Sequence, residues 1–151
     1  MTTSLNIVFI INTMTYQGAD NISSLGFKTN LNASFLNLNS IGKNSIDYKS
    51  SPQSEIVSIF ELKSVLPLIK KGNEFHDILT PKISLRFNPG DMKNHSNADR
   101  RINANNIFNL NRLGLSDSYE SGRSLTLGLE YKKENIENIK KYFDFKIATL
   151  L

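Results

Sequence analysis

From Ser124 to Lys132 the chain alternates, with Leu125, Leu127, Leu129 and Tyr131 at every second position and Thr126, Gly128, Glu130 and Lys132 between them. Successive side chains of a strand point to opposite sides, so this spacing predicts a ribbon with one apolar face and one polar face. Residues 79 to 88 repeat the pattern, setting Leu79, Pro81, Ile83, Leu85 and Phe87 against Thr80, Lys82, Ser84, Arg86 and Asn88. Such two-sidedness suits an antiparallel sheet with lipid or a core on one side and a wet space on the other. On the wet side an added charge, as in Thr126→Arg, is expected to be tolerated.

Alternating runs bounded by Gly, Pro, Asn, Asp and Ser predict six strands, at about 4–14, 26–38, 55–68, 78–88, 122–132 and 142–150. The second places Phe27, Leu31, Ala33 and Phe35 on one face and changes phase at Leu36 and Leu38, which predicts a bulge or a strand end. The third places Ile56, Phe60, Leu62, Leu66 and Leu68 on one face, with Val57 and Ile59 out of phase. The sixth sets Phe143, Phe145 and Ile147 against Asp144 and Lys146. Residues 132–145 admit a second reading, because Ile136, Ile139 and Phe143 also fit the spacing of a short amphipathic helix.

The connections alternate in length. Segments 15–25, 69–77 and 133–141 are short, whereas 39–54 and 89–121 are long, so an up-and-down sheet would gather its long loops at one end. A strand of about eleven residues spans about 36 Å, and tilted near 40° it projects to about 28 Å, close to the apolar band of an outer-membrane barrel. Tyr131 and Phe143 flank the short 133–141 turn, where an interfacial aromatic girdle would sit, although they equally suit a soluble sheet core.

Charge and composition narrow the function. The net charge is +4 and the isoelectric point about 9.3, but the cations are dispersed and lack the clustered stripe of a nucleic-acid surface, so no nucleic-acid partner is expected. The absence of cysteine excludes disulfides and thiolate metal sites within the chain. No apolar run approaches the roughly 18 residues of a membrane-spanning helix, and the start of the chain lacks a secretory leader. Either the protein is cytoplasmic, or Met1 is an internal methionine and the chain is a piece of a longer one.

Enzymatic chemistry finds little footing. His76 and His95 are the two histidines and belong to no ligand-spaced cluster, so no metal is expected. Ser116, Asp117 and Ser121 lack the Gly-x-Ser-x-Gly elbow of a hydrolase. Gly114, Gly122 and Gly128 do not have the spacing of a phosphate-binding loop and instead suit turns and close backbone approach. No catalytic residue and no cofactor are assigned.

Residues 89–121 form a loop too long to be a simple connection. It carries Arg100, Arg101, Arg112, Asp117 and Glu120 among the apolar anchors Ile107, Phe108 and Leu110. Paired charges could hold it folded into a barrel mouth as a structural lid. The alternative is a solvated surface loop whose exposed pairs contribute under about 1 kcal/mol each.

The segment Asn109-Leu-Asn-Arg-Leu-Gly-Leu-Ser-Asp-Ser-Tyr-Glu-Ser-Gly, running into the strand from Arg123 to Lys132, resembles the C-terminal barrel region of the LptD family of lipopolysaccharide-assembly outer-membrane proteins. There a loop of roughly Asn-Arg-aromatic-Ser-Gly-x-Asp-Arg-x-Glu-x-Gly leads into a strand containing Thr-x-Gly-Leu. Asn111, Arg112, Gly114, Asp117, Glu120, Gly122, Thr126, Gly128 and Leu129 stand at matching or near-matching places. Leu79-Thr-Pro-Lys-Ile-Ser-Leu-Arg-Phe-Asn-Pro-Gly is similar to the family's proline-containing strand and following loop, and Val65-Leu-Pro-Leu to its Leu-Pro strand end. The likeness covers residues 65–132 and is weak before about residue 55. Leu113 replaces the family's aromatic, Ser118 its second basic residue, and Leu150-Leu151 the aromatic that ends outer-membrane barrels.

The resemblance implies an all-β fold of antiparallel up-and-down strands, with residues 1–151 forming an internal fragment, about six strands, of a single transmembrane β-barrel domain. Its loop motif, Asn111, Arg112, Gly114, Asp117, Glu120 and Gly122, would be the structural lid. Lys82, Arg86, Glu130 and Lys132, with Lys146, would face the lumen, and Leu79, Ile83, Leu85, Leu125, Leu127 and Leu129 would face lipid. The implied role is non-enzymatic lipopolysaccharide transport and assembly at the outer leaflet of the cell outer membrane. The implied partners are lipopolysaccharide, outer-membrane lipid, a plug lipoprotein and periplasmic transport-bridge proteins. Two other readings stay open: a soluble all-β binding or structural module, and an unrelated outer-membrane channel.

Overall fold

The computed structural model describes residues 6–44, 49–91, 100–138 and 140–151. Every regular element among them is a strand: β1 (Asn6–Gln17), β2 (Asn21–Ile22), β3 (Lys28–Lys43), β4 (Gln53–Val65), β5 (Leu68–Lys71), β6 (Phe75–Asn88), β7 (Gly122–Asn135) and β8 (Tyr142–Leu150). They form one antiparallel sheet in the order β1-β3-β4-β6-β7-β8, with β2 continuing beside β3 and β5 beside β6. The sheet is open, with β1 and β8 at its edges. The up-and-down all-β organisation and its six principal strands agree with the alternation in the sequence. The first two positions expected for the first strand, and Ile139, lie outside the described residues.

Three local expectations change. β3 runs unbroken past Leu36 and Leu38, pairing continuously with β1 and β4, so the change of phase marks no bulge. Both faces are apolar there because both are in use. The third strand instead breaks in two: β4 pairs with β6 through Val65 and β5 resumes at Leu68, either side of Leu66 and Pro67. Pro67 and Pro81 lack the N–H a ladder needs, and they meet at this break, where the Leu66 N–H donates to the Pro81 carbonyl at 3.0 Å. Residues 132–145 form a hairpin, with β7 extending to Asn135 and the Asn135 N–H donating to the Lys141 carbonyl. Asn135 stabilises that turn, its Oδ1 accepting from the Glu137 and Asn138 N–H groups, and no helix forms among the described residues.

Lengthened strands also shrink the connection between β3 and β4 to residues 44–52, so the contrast in loop length rests on residues 89–121. At that end β4 outruns its neighbour. Gln53–Ile59 pair with β3, whereas the ladder to β6 begins only at Phe60 opposite Phe87. The protruding part of β1, β3 and β4 forms the floor on which the long loop rests.

The register gives the sheet two faces of different burial. One carries Ser34, Leu36, Leu38, Val57, Ile59, Glu61, Ser84, Arg86, Asn88 and Thr126, all buried. The opposite face carries Leu31, Ile56, Leu62, Ile83, Leu85, Phe87, Leu127, Phe143, Phe145 and Ile147, all exposed.

Candidate functional site: a loop anchored on one face of the sheet

Of the long loop, residues 89–91 and 100–121 are described, and the latter stretch supplies what buries the first face. Leu36, Leu38, Val57 and Ile59 form an apolar cluster with Tyr119, against which Ile11 and Leu110 pack. Val57 and Ile59, out of phase with the rest of their strand, are therefore the half of β4 that meets the loop. The Tyr119 hydroxyl lies 2.8 Å from Ser34 Oγ, and Ser34 Oγ lies 3.2 Å from Thr15 Oγ1, so the ring's polar end is satisfied in the interior. Asn88, at the end of β6, donates from Nδ2 to the carbonyls of Tyr119 and Glu120 and accepts from the Gly90 N–H, tying the two ends of the loop together.

Beside this cluster lies an ionic one. Glu120 Oε2 accepts from Arg112 Nε at 2.8 Å and from Arg86 Nη1 at 3.3 Å. Both guanidinium groups are 5% exposed as residues, so this carboxylate is shared by two cations largely removed from water. Arg86 also donates from Nη2 to the Leu110 carbonyl, and Arg112 from Nη2 to Ser124 Oγ. Glu61, buried on β4 opposite Arg86, accepts from Ser84 Oγ at 2.7 Å and from Asn32 Nδ2 at 3.2 Å. The planar fork of Arg suits such multidentate work better than Lys would.

The loop motif keeps its shape by local hydrogen bonds. Asn111 Oδ1 accepts from the Gly114 N–H and Nδ2 donates to the Leu115 carbonyl, closing a turn in which Gly114 has φ +63°. Gly122 enters β7 at φ +88°, a conformation that an L side chain rarely adopts. Asp117 accepts from Ser118 Oγ at 3.2 Å, and Ser118 beside it is buried. Asn111, Arg112, Gly114, Asp117, Glu120 and Gly122 thus occupy one continuous structure. Asp117 makes no ion pair with a described residue.

The third anchor is a ring on a glycine. A Cβ placed on Gly128 would come within 2.5 Å of Phe108 Cζ and Cε2, so the absence of a side chain there is what seats the ring. Lys63 and Lys82 approach the ring at 6.0 Å and 5.8 Å, and Lys63 Nζ donates to the Phe108 carbonyl. Lys82 also pairs with Glu130 at 2.6 Å.

Lys82, Arg86, Glu130, Lys132 and Lys146 share the loop-bearing face, and each has a carboxylate or cationic partner: Lys132 with Glu134 at 2.5 Å, Lys146 with Asp144 at 3.6 Å. Leu79, Ile83, Leu85, Leu125, Leu127 and Leu129 share the opposite face. Thr126 departs from expectation. It is fully buried opposite Ser84, so an Arg there would collide with the packed face instead of meeting water. Arg100 and Arg101 are exposed and join no ion pair with described residues. His76 stands on β6 in register with Lys71 and Glu134, and His95 lies outside the described residues.

Sequence reasoning picked out Phe108 and Leu110 as anchors but missed Tyr119, Asn88, Glu61 and Ser34. For Tyr119 a signal existed, a lone aromatic in a polar run; for Asn88 and Ser34 there was none.

Fold and site together define an open antiparallel sheet with one face partly covered by its own loop and the other largely apolar and bare. No protein-family model, curated protein or solved structure matches the chain.

Proposed function

We propose that this chain is a stretch of an outer-membrane β-barrel of the lipopolysaccharide-assembly kind, acting without covalent chemistry. The observation that carries the reading is the bare face. Leu31, Leu62, Leu85, Leu125 and Leu151 lie in one row across β3, β4, β6, β7 and the end of β8, lining a trough of ≈ 650 Å³. These leucines are already partly covered, so removing the rest of each from water would gain roughly half of the 1.5–3 kcal/mol of a full burial, and a contiguous apolar patch of this kind marks a surface that meets lipid or protein. Lipid satisfies the whole face at once, whereas the loop face, with its paired charges, suits a polar barrel interior. The open edges at β1 and β8 would be closed by further strands of the barrel. The lipopolysaccharide assignment rests on the loop motif. The residues that match the family's pattern, Arg112 and Glu120 above all, are among those that anchor the loop over the sheet.

The test compares insertion of two arginine variants into lipid vesicles. Leu127→Arg, on the bare face, should lower insertion by about 2–4 kcal/mol if it lies near the midplane. Thr13→Arg, on an exposed position of the loop face, should insert as the parent does. Equal insertion of the two would argue against lipid on the leucine face and favour a soluble all-β module. Crosslinking of lipopolysaccharide from positions 82, 86, 130 and 132 tests the cargo, and silence at all of them would point to an unrelated channel.

A further inference from the structure

Resting on that reading, we propose that Arg123 over Phe87 and Lys133 over Phe75 mark the two bilayer boundaries on the bare face, each cation taking the headgroup phosphate of a membrane lipid. The argument begins with pairing. The cations of β6 and β7 that point to the loop face, Lys82, Arg86 and Lys132, all have carboxylates. Arg123 and Lys133 point the other way, are exposed, and have no carboxylate within 4.0 Å among the described residues. What each has instead is a ring: Arg123 Cζ lies 5.5 Å from the centroid of Phe87 and Lys133 Nζ lies 5.0 Å from that of Phe75.

A ring beneath an unpaired cation is the chemistry of a membrane interface, with the aromatic body in the acyl region and the charge at the phosphates. Between the two clasps this face of β6 and β7 carries Leu79, Pro81, Ile83, Leu85, Leu125, Leu127, Leu129 and Tyr131 and no cation. Its one acid, Asp77, lies at the Lys133 level and accepts a 2.6 Å hydrogen bond from the Tyr131 hydroxyl. Tyr131 in turn packs against Phe143 at 6.2 Å, widening the aromatic belt at that boundary. The spacing agrees. From Arg123 to Lys133 the strand rises about 33 Å, which at a tilt near 40° is about 25 Å of depth, the height of the apolar band of such barrels.

The chain has no tryptophan, so one introduced tryptophan reports its own depth. Leu127→Trp, Phe87→Trp and Phe75→Trp would be made in the full chain and reconstituted in phosphatidylcholine vesicles containing phosphatidylglycerol, brominated either near the glycerol or near the acyl ends. Leu127→Trp should be quenched most by deep bromines, and the other two by shallow ones. The same depth at all three positions would overturn the boundaries while leaving the membrane reading intact. No quenching at any position would overturn both. For the phosphate contact, Lys133→Gln and Arg123→Gln should each lower insertion into phosphatidylglycerol vesicles about fivefold, with little change in pure phosphatidylcholine. Unchanged insertion into phosphatidylglycerol vesicles would overturn the phosphate role; the smaller effect expected in phosphatidylcholine reflects the choline cation that offsets its phosphate.

Discussion

The ring of Phe108 lies against the backbone of Gly128 so closely that a single added methyl group would meet it at 2.5 Å. This contact joins the long loop to the centre of β7. It turns one glycine of an otherwise regular strand into a specificity element, because the ring cannot rest there above any other residue. Replacing Gly128 with Ala should therefore weaken loop packing by about 1–3 kcal/mol, as overpacking of a filled site does. Limited proteolysis within residues 100–121 should quicken in Gly128→Ala. Phe108→Ala should relieve the clash, so the double variant should be less destabilised than the two single effects summed. Strict additivity would show that the contact does not hold the loop.

The carboxylate of Glu120 serves two nearly buried guanidinium groups, while that of Glu130 serves the amine of Lys82 with 31% of its side chain exposed. Magnitudes separate them. Removing one partner of a buried ionic cluster leaves an uncompensated charge and costs about 3–5 kcal/mol, whereas a pair open to solvent is worth under about 1 kcal/mol. Glu120→Gln should lower the denaturation midpoint severalfold more than Glu130→Gln. Similar midpoints for the two would mean that water reaches Arg86 and Arg112.

Tyr119 contributes area and one hydroxyl. Tyr119→Phe keeps the ring in the cluster with Leu36, Leu38, Val57 and Ile59 and removes its partner at Ser34, at a cost of about 1 kcal/mol. Tyr119→Ala empties the cluster and should cost about 3–5 kcal/mol. Equilibrium unfolding in urea reads both, and a Phe variant as damaging as the Ala variant would assign the role to the hydroxyl instead of the ring.

Much of the architecture was legible from residues 79–88 and 122–132, where one face alternates cleanly because the other is polar. β3 and β4 were read less well for an identifiable reason. Leu36, Leu38, Val57 and Ile59 are apolar on the face opposite Phe35, Phe60 and Leu62, since the loop covers one side and the other is bare. A strand apolar on both sides has no period to read. The Leu66–Pro67 break was visible as a proline but not as a break, because its effect depends on Pro81 in the neighbouring strand. Within the loop, Arg112 and Glu120 stood among five charges expected to pair without a partner being assigned to either, and Arg86 on β6 completes the cluster they form.

By itself the sequence determined the two-sided strands, their approximate limits and the hairpin-rich order, because side-chain alternation is a property of each strand alone. Tertiary structure alone decided which face the loop covers, that Phe108 lands on Gly128, that Thr126 is buried, and that one carboxylate is shared by two arginines. Those outcomes depend on groups tens of residues apart being brought within contact distance, and no local pattern encodes such a distance.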